Sequence, residues 1–323
     1  MIEAKGITKR RGQTLALENV SLSVPAGSIH GLIGAVGAGK STLFEILVTL
    51  LRPDSGEATV GGYDIAREWR AVRRTVGYMP AVFSLYGDLT VAENLRFFAR
   101  IYHQDPTHIR KLVGEIWSQI EPFSNRPAAH LSGGMKQKLA LCCAMVHDPQ
   151  VLMLDEPTTG VDPTSRHEFW TALHRLADQG KTILVSTSYM DEAAQCDRIT
   201  LLHEGSTLAT LAPHEAPDLY HGTLYEITLQ EGSLGSERLL PLLRDWSLSR
   251  GCYSFGDRIH LSIALPDIRT ETVESYLRGQ GVSVEGLHIV PVRPSVEDLF
   301  IQLASKGETT DSLNPDTTNA LHA

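Results

Sequence analysis

The sequence predicts an α/β protein with a mainly parallel sheet and a helical insert, followed by a small α+β region. From Ile2 to about Pro213, short β-branched or apolar segments alternate with helical patterns, which is typical of successive βα units. Between residues 83 and 146 the pattern is helical. Beyond Pro213, apolar and polar residues alternate with the period of two that is typical of strands. These observations predict two domains of different architecture.

The predicted domain boundaries follow these changes in pattern. The first domain is expected to span residues 1–215, with a helical subdomain at about 83–146, and the α+β domain to span residues 222–303. The last residues, 304–323, are rich in Thr, Asn, Asp and Ser and have few apolar side chains to bury. We therefore expect them to form a disordered tail.

The composition excludes several classes of function. The 323 residues include 29 Lys and Arg against 38 Asp and Glu, a formal charge of −9, whereas surfaces that coat nucleic acid or anionic lipid are positive. No apolar segment approaches the ~18–20 residues that span a bilayer, and residues 1–11 lack the apolar core of a signal peptide. The four cysteines are too few and too irregular for a disulfide framework. We expect a cytoplasmic protein that binds no nucleic acid.

Three segments of the first domain have the composition of fully buried strands. They are Ile29–Ile33, Val151–Leu154 and Thr182–Ser186. Each ends where a cluster of glycine, carboxylate or hydroxyl groups begins, and ligands of open α/β sheets collect at the carboxyl ends of the strands. We expect the functional site at that edge.

Further elements are predicted from caps and periodicity. Thr90 and Glu93 have the spacing of a capping box, which predicts that a helix of the insert begins there. In the second domain, strand-like alternation covers Ile259, Leu261, Ile263 and Leu265, and helical patterns cover Asp267–Arg278 and Ser295–Leu303. This mixture predicts the α+β class for that domain.

The segment after the first buried strand has the composition of a phosphate-binding loop. Its glycines let backbone N–H groups converge on phosphate oxygens, and the helix predicted over Leu43–Leu51 directs its positive end at them. Lys40 is placed to reach the β- and γ-phosphates, and the Ser41 hydroxyl to ligate Mg²⁺. The residues predicted to bind nucleotide are Gly34, Gly37, Ala38, Gly39, Lys40, Ser41 and Thr42. A glycine-rich turn that binds nothing is the less favoured alternative.

Two carboxylates follow the buried strand Val151–Leu154. Asp155 at the strand end suits the coordination shell of Mg²⁺ together with Ser41, and Glu156 is placed to polarise an attacking water. An acidic pair at a strand end also occurs without any ligand. The phosphate-binding loop in the same chain favours the catalytic interpretation, with Glu156 as the base.

A third motif lies between these two. Residues 131–137 have the sequence LSGGMKQ, ahead of an apolar helical pattern over Leu139–Val146. A serine and two glycines at a helix start offer a hydroxyl, free N–H groups and a positive helix end, which suit an anion. Without the other motifs the segment would be an ordinary helix cap. The residues of this motif are Leu131, Ser132, Gly133, Gly134, Met135, Lys136 and Gln137.

The order of the three motifs resembles that of the ATP-binding subunit of a bacterial ABC transporter, of the drug-efflux (multidrug exporter) type. The resemblance covers roughly residues 2–213, and Pro294–Phe300 is similar to the end of the accessory domain of such subunits. It implies ATP and Mg²⁺ as cofactors, and membrane permease subunits and a second ABC cassette as partners, at the cytoplasmic face of the inner membrane. It also implies that Asp162 lies at the dimer seam and that Leu131–Gln137 completes the other subunit's nucleotide site.

Four positions depart from the family pattern. Ala81 stands where the resemblance places a glutamine that helps to coordinate Mg²⁺, and Ser188 where it places a histidine that holds the γ-phosphate. Arg11 replaces an aromatic residue that stacks on adenine, and Val36 replaces a polar residue. Serine supplies no cation, and loss of one preorganised donor costs about 10²–10³ in rate. With Glu156 retained as base, we expect ATP to bind and hydrolysis at this site to be slow.

The resulting hypothesis is an ATP-driven subunit for export. Closure of a cassette dimer and its opening after hydrolysis would move separate permease subunits through a groove near Phe83–Arg100. The sequence leaves open the transported molecule, and whether the dimer is symmetric or pairs this weak site with an active partner. One alternative is a non-hydrolysing structural or regulatory cassette. Another is a soluble ABC protein acting on ribosomes or DNA, which the acidic charge disfavours.

Overall fold

The computed structural model of the chain divides into two compact units, Met1–Pro213 (unit 1) and His214–Ala323 (unit 2). The structure describes residues 1–105, 107, 109–229, 236–266 and 268–311. Among these residues, no helix combines the length and the apolar composition that crossing a membrane requires.

The strands of unit 1 form two sheets. They are β1 (Ile2–Arg11), β2 (Thr14–Val24), β3 (Ile29–Ile33), β4 (Ser55–Val60), β5 (Tyr63–Asp64), β6 (Val76–Met79), β7 (Val151–Asp155), β8 (Thr182–Thr187), β9 (Arg198–His203) and β10 (Ser206–Leu211). One sheet has the order β10-β9-β3-β8-β7-β6 and is parallel except for the β10–β9 pair. The other, β2-β1-β4-β5, is antiparallel. The predicted parallel sheet is confirmed, and the antiparallel sheet is an addition that we did not predict.

Unit 1 has six α-helices among its described residues. They are α1 (Lys40–Leu47), α2 (Trp69–Thr75), α3 (Val91–Ile101), α4 (Ile109–Ile120), α5 (Gly133–Met145) and α6 (Pro163–Asp178). The prediction of a helix over Leu43–Leu51 was wrong at both ends. Gly39 adopts the left-handed region and precedes the first turn, and Thr49, with φ +66°, adopts a conformation that a helix cannot continue.

The central strands β3, β7 and β8 are buried along their whole length. Parallel strands that are covered on both faces need continuous apolar sequences, which is why these three were predicted closely. β7 and β8 each extend one residue beyond the prediction, to Asp155 and Thr187. In the sheet Asp155 pairs with Ser186, and Ile33 pairs with Thr187. The three strands therefore end at one edge and deliver their following loops there.

Helices α3, α4 and α5 lie in the predicted helical region of residues 83–146. The capping box is present: Thr90 Oγ1 accepts a hydrogen bond from the Glu93 amide, and the Glu93 carboxylate accepts one from the Thr90 amide. The buried Asn94 side chain bonds to the backbone of Tyr86 and Leu89, which fixes the lead-in segment onto α3. These bonds hold the loop after β6 against the helices.

The segment after β8 is held by a side chain from α6. The Arg166 guanidinium lies 4.4 Å from the ring centre of Tyr189, 3.4 Å from the Asp191 carboxylate and 3.6 Å from the Glu192 carboxylate. Glu192 is 2% exposed, and neither of its oxygens has a hydrogen-bond partner within the described part of the chain. A buried carboxylate needs a cation nearby, so Arg166 anchors the short 3₁₀ turn Met190–Gln195.

Unit 2 contains one antiparallel sheet and four helices within its described residues. Its elements are α7 (Ala216–Leu219), β11 (Thr223–Leu229), α8 (Ser236–Arg244), β12 (Ser249–Phe255), β13 (Arg258–Ile263), α9 (Thr270–Gly279), β14 (Leu287–Val292) and α10 (Val296–Asp311). The βαββαβ order with the strand arrangement β12-β13-β11-β14 is that of ferredoxin-like domains. Core residues from α8 and α9 pack against one face of this sheet.

Helix α10 packs on the opposite face of this sheet. His260 Nδ1 on β13 lies 2.7 Å from the Asp298 carboxylate of α10, and His260 Nε2 lies 3.5 Å from Glu226 on β11. The Asp298 carboxylate also accepts hydrogen bonds from the Ser295 amide and hydroxyl. The helix continues to Asp311, so the prediction of disorder from residue 304 was wrong for residues 304–311, and 312–323 lie outside the described residues.

We predict that Arg166→Ala destabilises unit 1, because it leaves the Glu192 carboxylate buried without a cation. Breaking a buried pair costs ~3–5 kcal/mol, and we expect the lower end of that range because Arg166 is 24% exposed. The urea midpoint of unfolding measures this loss. A second change, Glu192→Gln, should recover part of the stability because it removes the uncompensated charge.

The matched control is Arg175→Ala on the same helix. Arg175 forms an ion pair with Glu115, but both side chains are more than half exposed, so its loss should cost less than ~1 kcal/mol. Equal destabilisation by both variants would contradict an anchoring role for Arg166.

The His260–Asp298 contact predicts how the stability of unit 2 varies with pH. The hydrogen bond to Asp298 raises the pKa of His260 above its usual value near 6.5. Burial raises the pKa of Asp298, but hydrogen bonds from His260 and Ser295 outweigh it, and the net pKa lies below 3.8. The contribution of His260 to the stability of unit 2 is therefore complete below pH 6.5 and is lost as the pH rises. The contribution of Asp298 is present above pH 3.8 and is lost in acid.

Calorimetric melting between pH 4 and 9 tests this prediction. The transition of unit 2 should fall in temperature as the pH rises above 6.5 in the native chain, and this slope should flatten in His260→Gln. An unchanged slope in the variant would show that another group is responsible.

Candidate functional site

The loop between β3 and α1 leaves room for a ligand beside its backbone. Gly37 and Gly39 have φ of +88° and +103°, which only glycine adopts without strain. A Cβ on Gly39 would lie 2.5 Å from the carbonyl oxygen of Ala16, so the loop also needs glycine there for space. The first N–H groups of α1 have no partner within a helix and point along its positive end. The loop therefore has the geometry of an anion cradle.

Lys40 at the start of α1 is 5% exposed and lies among oxygens. Its ammonium donates to the carbonyls of Gly34, at 2.6 Å, and Ala35, at 3.0 Å. The Glu156 carboxylate lies 3.0 Å from the same nitrogen. The predicted phosphate-binding lysine and the predicted base are thus brought into direct contact at the sheet edge.

Glu156 follows β7 and is held in an unusual backbone conformation. Its φ is +50°, in the left-handed region that non-glycine residues rarely adopt. The Ser188 hydroxyl donates to Glu156 Oε2 at 3.2 Å, and the Thr159 hydroxyl donates to the same oxygen at 3.0 Å. Such strain at a site is maintained only because the neighbouring contacts fix the residue. The carboxylate is held in place by one cation and two hydroxyls.

Asp155, one residue earlier, is 2% exposed at the end of β7. The Ser186 hydroxyl donates to its carboxylate at 2.5 Å. Burial, with the Asp155 charge nearby, raises the pKa of Tyr78 to about 12. The exposed Ser41 hydroxyl lies on the wall of the adjoining cavity. Hydroxyl and carboxylate oxygens are the donors that Mg²⁺ prefers, so the chemistry of both side chains fits that ion, although Asp155 is not part of the described cavity wall.

A cavity of about 830 Å³ opens beside the loop, within the range of known ligand sites. Ala81 and Ser188 are both part of its wall. Val36 projects from the loop with 91% of its surface exposed. Arg11 is also part of the wall and forms an ion pair with Glu45 of α1.

Sequence reasoning missed several residues of this site. Thr159 and Ser186 bind the two carboxylates, and Glu204 contributes to the cavity wall. The pairing of Asp155 with Ser186 follows from parallel strand register, so that contact could have been inferred from the two strand ends. Glu204 lies in the tight turn between β9 and β10, far along the chain from the motifs, and no sequence signal marks it.

The segment Leu131–Gln137 lies away from this cavity, since none of its residues is part of the described wall. Ser132 caps α5 and accepts a bond from the Met135 amide at 3.4 Å. A Cβ on Gly133 would lie 2.8 Å from the carbonyl oxygen of Gly160, and one on Gly134 would lie 2.6 Å from Ser165. Gly133 thus permits close approach to the backbone of the loop that precedes α6, and Gly134 permits close approach to the Ser165 side chain in the first turn of α6.

Asp162 is the N-cap of α6 and has a local structural role. Its carboxylate accepts a hydrogen bond from the Ser165 amide at 2.9 Å. Hydrogen bonds from Ser165 lower the pKa of Asp162, so the carboxylate stays charged at neutral pH. The side chain is exposed, which leaves its predicted place at a dimer seam a prediction.

A second, apolar groove of about 290 Å³ lies between the end of β6 and helices α3 and α5. Its walls include Phe83, Leu85, Phe98 and Tyr102. Several apolar side chains nearby are exposed, among them Val82 at 79% and Ile101 at 54%. Clustered exposed apolar residues mark surfaces that bind another molecule.

Known sequences match this chain over the region that contains the three motifs. The sequence model of the family described as "ABC transporter" matches residues 17–159. The probable multidrug ABC transporter ATP-binding protein YbhF of Escherichia coli K12 is 41% identical over 217 residues, which are 67% of this chain. The chain spans only 38% of the length of YbhF. The Nod factor export ATP-binding protein I of Rhizobium sp. strain N33 is 34% identical over 94% of this chain and 97% of its own length.

A solved structure agrees with these sequence matches. The dimeric ATP-binding cassette MJ0796, in a post-hydrolysis state with ADP and Pi, superposes with a TM-score of 0.59 at 28% identity. The match covers 66% of this chain and 98% of that chain. Because a relative more than 30% identical is covered almost entirely, the chain belongs to the ATP-binding subunits of the ABC transporter family, as the sequence predicts.

Proposed function

We propose that this chain binds Mg²⁺-ATP as a cassette of an ABC exporter and hydrolyses it slowly at its own site. One observation carries the proposal. The phosphate-binding loop, Lys40 and Glu156 are assembled at the sheet edge, whereas Ala81 and Ser188 supply neither an amide nor an imidazole to the same cavity. The site is therefore expected to support ATP binding well and ATP hydrolysis poorly.

The binding half of the proposal rests on the loop and Lys40. A bound triphosphate would accept hydrogen bonds from the loop amides and from the Lys40 ammonium. Glu156, 3.0 Å from Lys40 Nζ, competes with the phosphate for that ammonium. Ser41 and Asp155 would hold Mg²⁺, which neutralises phosphate charge when bound. Arg11 would take the place of an aromatic residue beside the adenine ring of ATP, and its planar guanidinium can also stack on that ring.

The hydrolytic half depends on what surrounds Glu156. Lys40, Ser188 and Thr159 each bind its carboxylate, which keeps it in place as an acceptor for a proton from water. The Ser188 hydroxyl is neutral and donates its hydrogen bond to Glu156. It therefore supplies no positive charge to a phosphate. Ala81 has no polar atom on its side chain. The base is present, but stabilisation of charge in the transition state is reduced.

A second cassette is proposed because the segment Leu131–Gln137 does not reach the chain's own cavity. Ser132 and Gly133 at the start of α5 are exposed, so this helix start would be accessible to a nucleotide bound by another cassette. A chain whose own site stabilises the transition state poorly, but whose Leu131–Gln137 segment is intact, suits an asymmetric pair of cassettes. In such a pair this chain would act as an ATP-bound clamp while a partner cassette hydrolyses.

Separate permease subunits are proposed to dock at the groove lined by Phe83, Leu85, Phe98 and Tyr102. The groove lies beside the loop after β6, which carries Ala81 toward the cavity. Movement of this loop would therefore reach both sites. The names of the relatives point to unlike cargoes, multidrug and Nod factor, so we propose export without assigning a cargo. Co-purification of the tagged chain with a membrane permease tests this part.

The second candidate is a regulatory cassette that binds ATP and never hydrolyses it. The replacements Ala81 and Ser188 favour it. The fixed position of Glu156 favours residual turnover instead, because a base with no function would not need three partners. The two candidates differ in whether the rate rises when the missing groups are restored.

We predict that Lys40→Met lowers the affinity for Mg²⁺-ATP by about 10- to 100-fold, since charge-assisted hydrogen bonds contribute ~1.5–3 kcal/mol. Titration with a fluorescent ATP analogue measures this change. Lys181→Met is the matched control, because Lys181 pairs with Asp148 at 2.5 Å and is not part of the described cavity wall. Absence of saturable binding by the native chain, with or without a companion cassette, would refute the proposal.

We predict that Ala81→Gln combined with Ser188→His raises the ATP turnover number by about 10²-fold or more. The native chain should turn over well below the ~1–10³ s⁻¹ of ordinary enzymes. Phosphate release under saturating Mg²⁺-ATP measures both rates. The control pair, Ala81→Leu with Ser188→Ala, adds bulk without polar groups and should not gain activity. Ordinary rates in the native chain would rule out a weakened site.

A further inference from the structure

Unit 2 contains a partly open cavity of about 210 Å³ that the nucleotide site does not use. It lies between α10 and the face of the sheet opposite the core, which carries Leu224, Tyr253 and Ser262. On the helix side its walls are Asp298, Ile301, Gln302 and Ser305. This spacing of three, four and seven residues places them on one face of α10. The cavity is therefore a gap between two regular elements and not an irregular surface loop.

Small residues keep this space open. Ser262 on β13 and Ser305 on α10 are both part of its wall, where larger side chains would fill it. Gly251 on β12 matters as well, because a Cβ there would lie 2.5 Å from the Tyr253 hydroxyl oxygen. Glycine lets the Tyr253 ring lie along the strand and form one wall. Protein interiors are normally close-packed, and an empty gap of this size lowers the free energy of unfolding.

Most polar groups of the walls are already paired. Gln302 exchanges two hydrogen bonds of 2.9 Å with the backbone of His221. The Tyr220 hydroxyl donates to Ser262 at 2.5 Å, and the Asp298 carboxylate is bound by His260 and Ser295. These bonds fix the walls in one arrangement. A ligand would therefore enter a preformed site.

Arg250 is the exception among the wall residues. It makes a single hydrogen bond, at 3.2 Å to the His221 carbonyl, and it has no carboxylate partner in the described part of the chain. The only other charged residue of the described walls, Asp298, is met by His260 at 2.7 Å. Arg250 is exposed, so the side of the cavity that faces solvent carries a positive charge without a carboxylate partner among the described residues, and its guanidinium has further N–H groups to donate.

We propose that this cavity binds a small organic carboxylate, with Arg250 recognising its charge and the apolar side chains Leu224 and Ile301 contacting its body. A planar carboxylate matches the paired N–H groups of a guanidinium. The volume of 210 Å³ lies below the ~300–1,000 Å³ of drug-sized sites, which limits the ligand to a compact molecule. The inference is independent of the nucleotide site, because every residue it uses belongs to unit 2.

Such a ligand would bridge the sheet and α10. Arg250 and Tyr253 belong to β12, whereas Ile301 and Ser305 belong to α10, so occupancy would join the two elements through the ligand. Exchange of backbone amides in α10 should therefore slow when the site is filled. This readout locates the binding event.

Equilibrium dialysis of the full chain with radiolabelled benzoate tests the proposal, with hexanoate as a second carboxylate and benzamide as the neutral counterpart. We expect saturable binding of one carboxylate per chain and slower hydrogen exchange over residues 298–305. Arg250→Gln should weaken that binding by about 10- to 100-fold, the equivalent of a charge-assisted hydrogen bond. Benzamide should bind more weakly than benzoate by a similar factor.

Two further variants complete the design. Arg258→Gln is the matched charge control, because Arg258 lies on the same sheet but pairs with Glu226 and is not part of the described cavity wall. Ser305→Leu should fill the cavity and abolish binding while leaving the Arg250 charge in place. No saturable uptake of either carboxylate would overturn the proposal, and so would equal binding by the Arg250→Gln and native chains. ATP affinity should be unchanged in all three variants.

Discussion

The ammonium of Lys40 and the carboxylate of Glu156 lie 3.0 Å apart, although 116 positions separate them in the chain. Their contact exists because β3, β8 and β7 are adjacent parallel strands that end at the same edge. The strand ends bring the phosphate-binding loop, two carboxylates and the Ser186 and Ser188 hydroxyls into one place. Everything that the candidate site can do follows from this alignment of strand ends.

Part of this arrangement is predictable from sequence because its determinants are local. Buried parallel strands require continuous apolar residues, and a glycine-rich turn before a helix requires φ values that other residues avoid, so both leave clear patterns. The capping box at Thr90 is also a short-range signal, and the structure contains it. These features identified the parallel sheet, the loop and the start of α3.

Other parts depend on contacts between distant segments. The anchoring of Glu192 by Arg166, and the bonds from Ser188 and Thr159 to Glu156, arise only when the strands are placed side by side. The left-handed conformation of Thr49 ends α1 although the apolar pattern continues to Leu51. In unit 2 the alternating pattern indicates strands, but their order in the sheet is set by the two crossing helices. Such features need the fold before they can be recognised.

The close contact between Gly133 and the Gly160 carbonyl has a mechanical meaning. No side chain lies between these two backbones, and a Cβ on Gly133 would come within 2.8 Å of that oxygen. Any side chain at residue 133 would have to push the two segments apart, so their present spacing depends on glycine there. We expect a larger residue at this position to displace the start of α5 from the loop before α6.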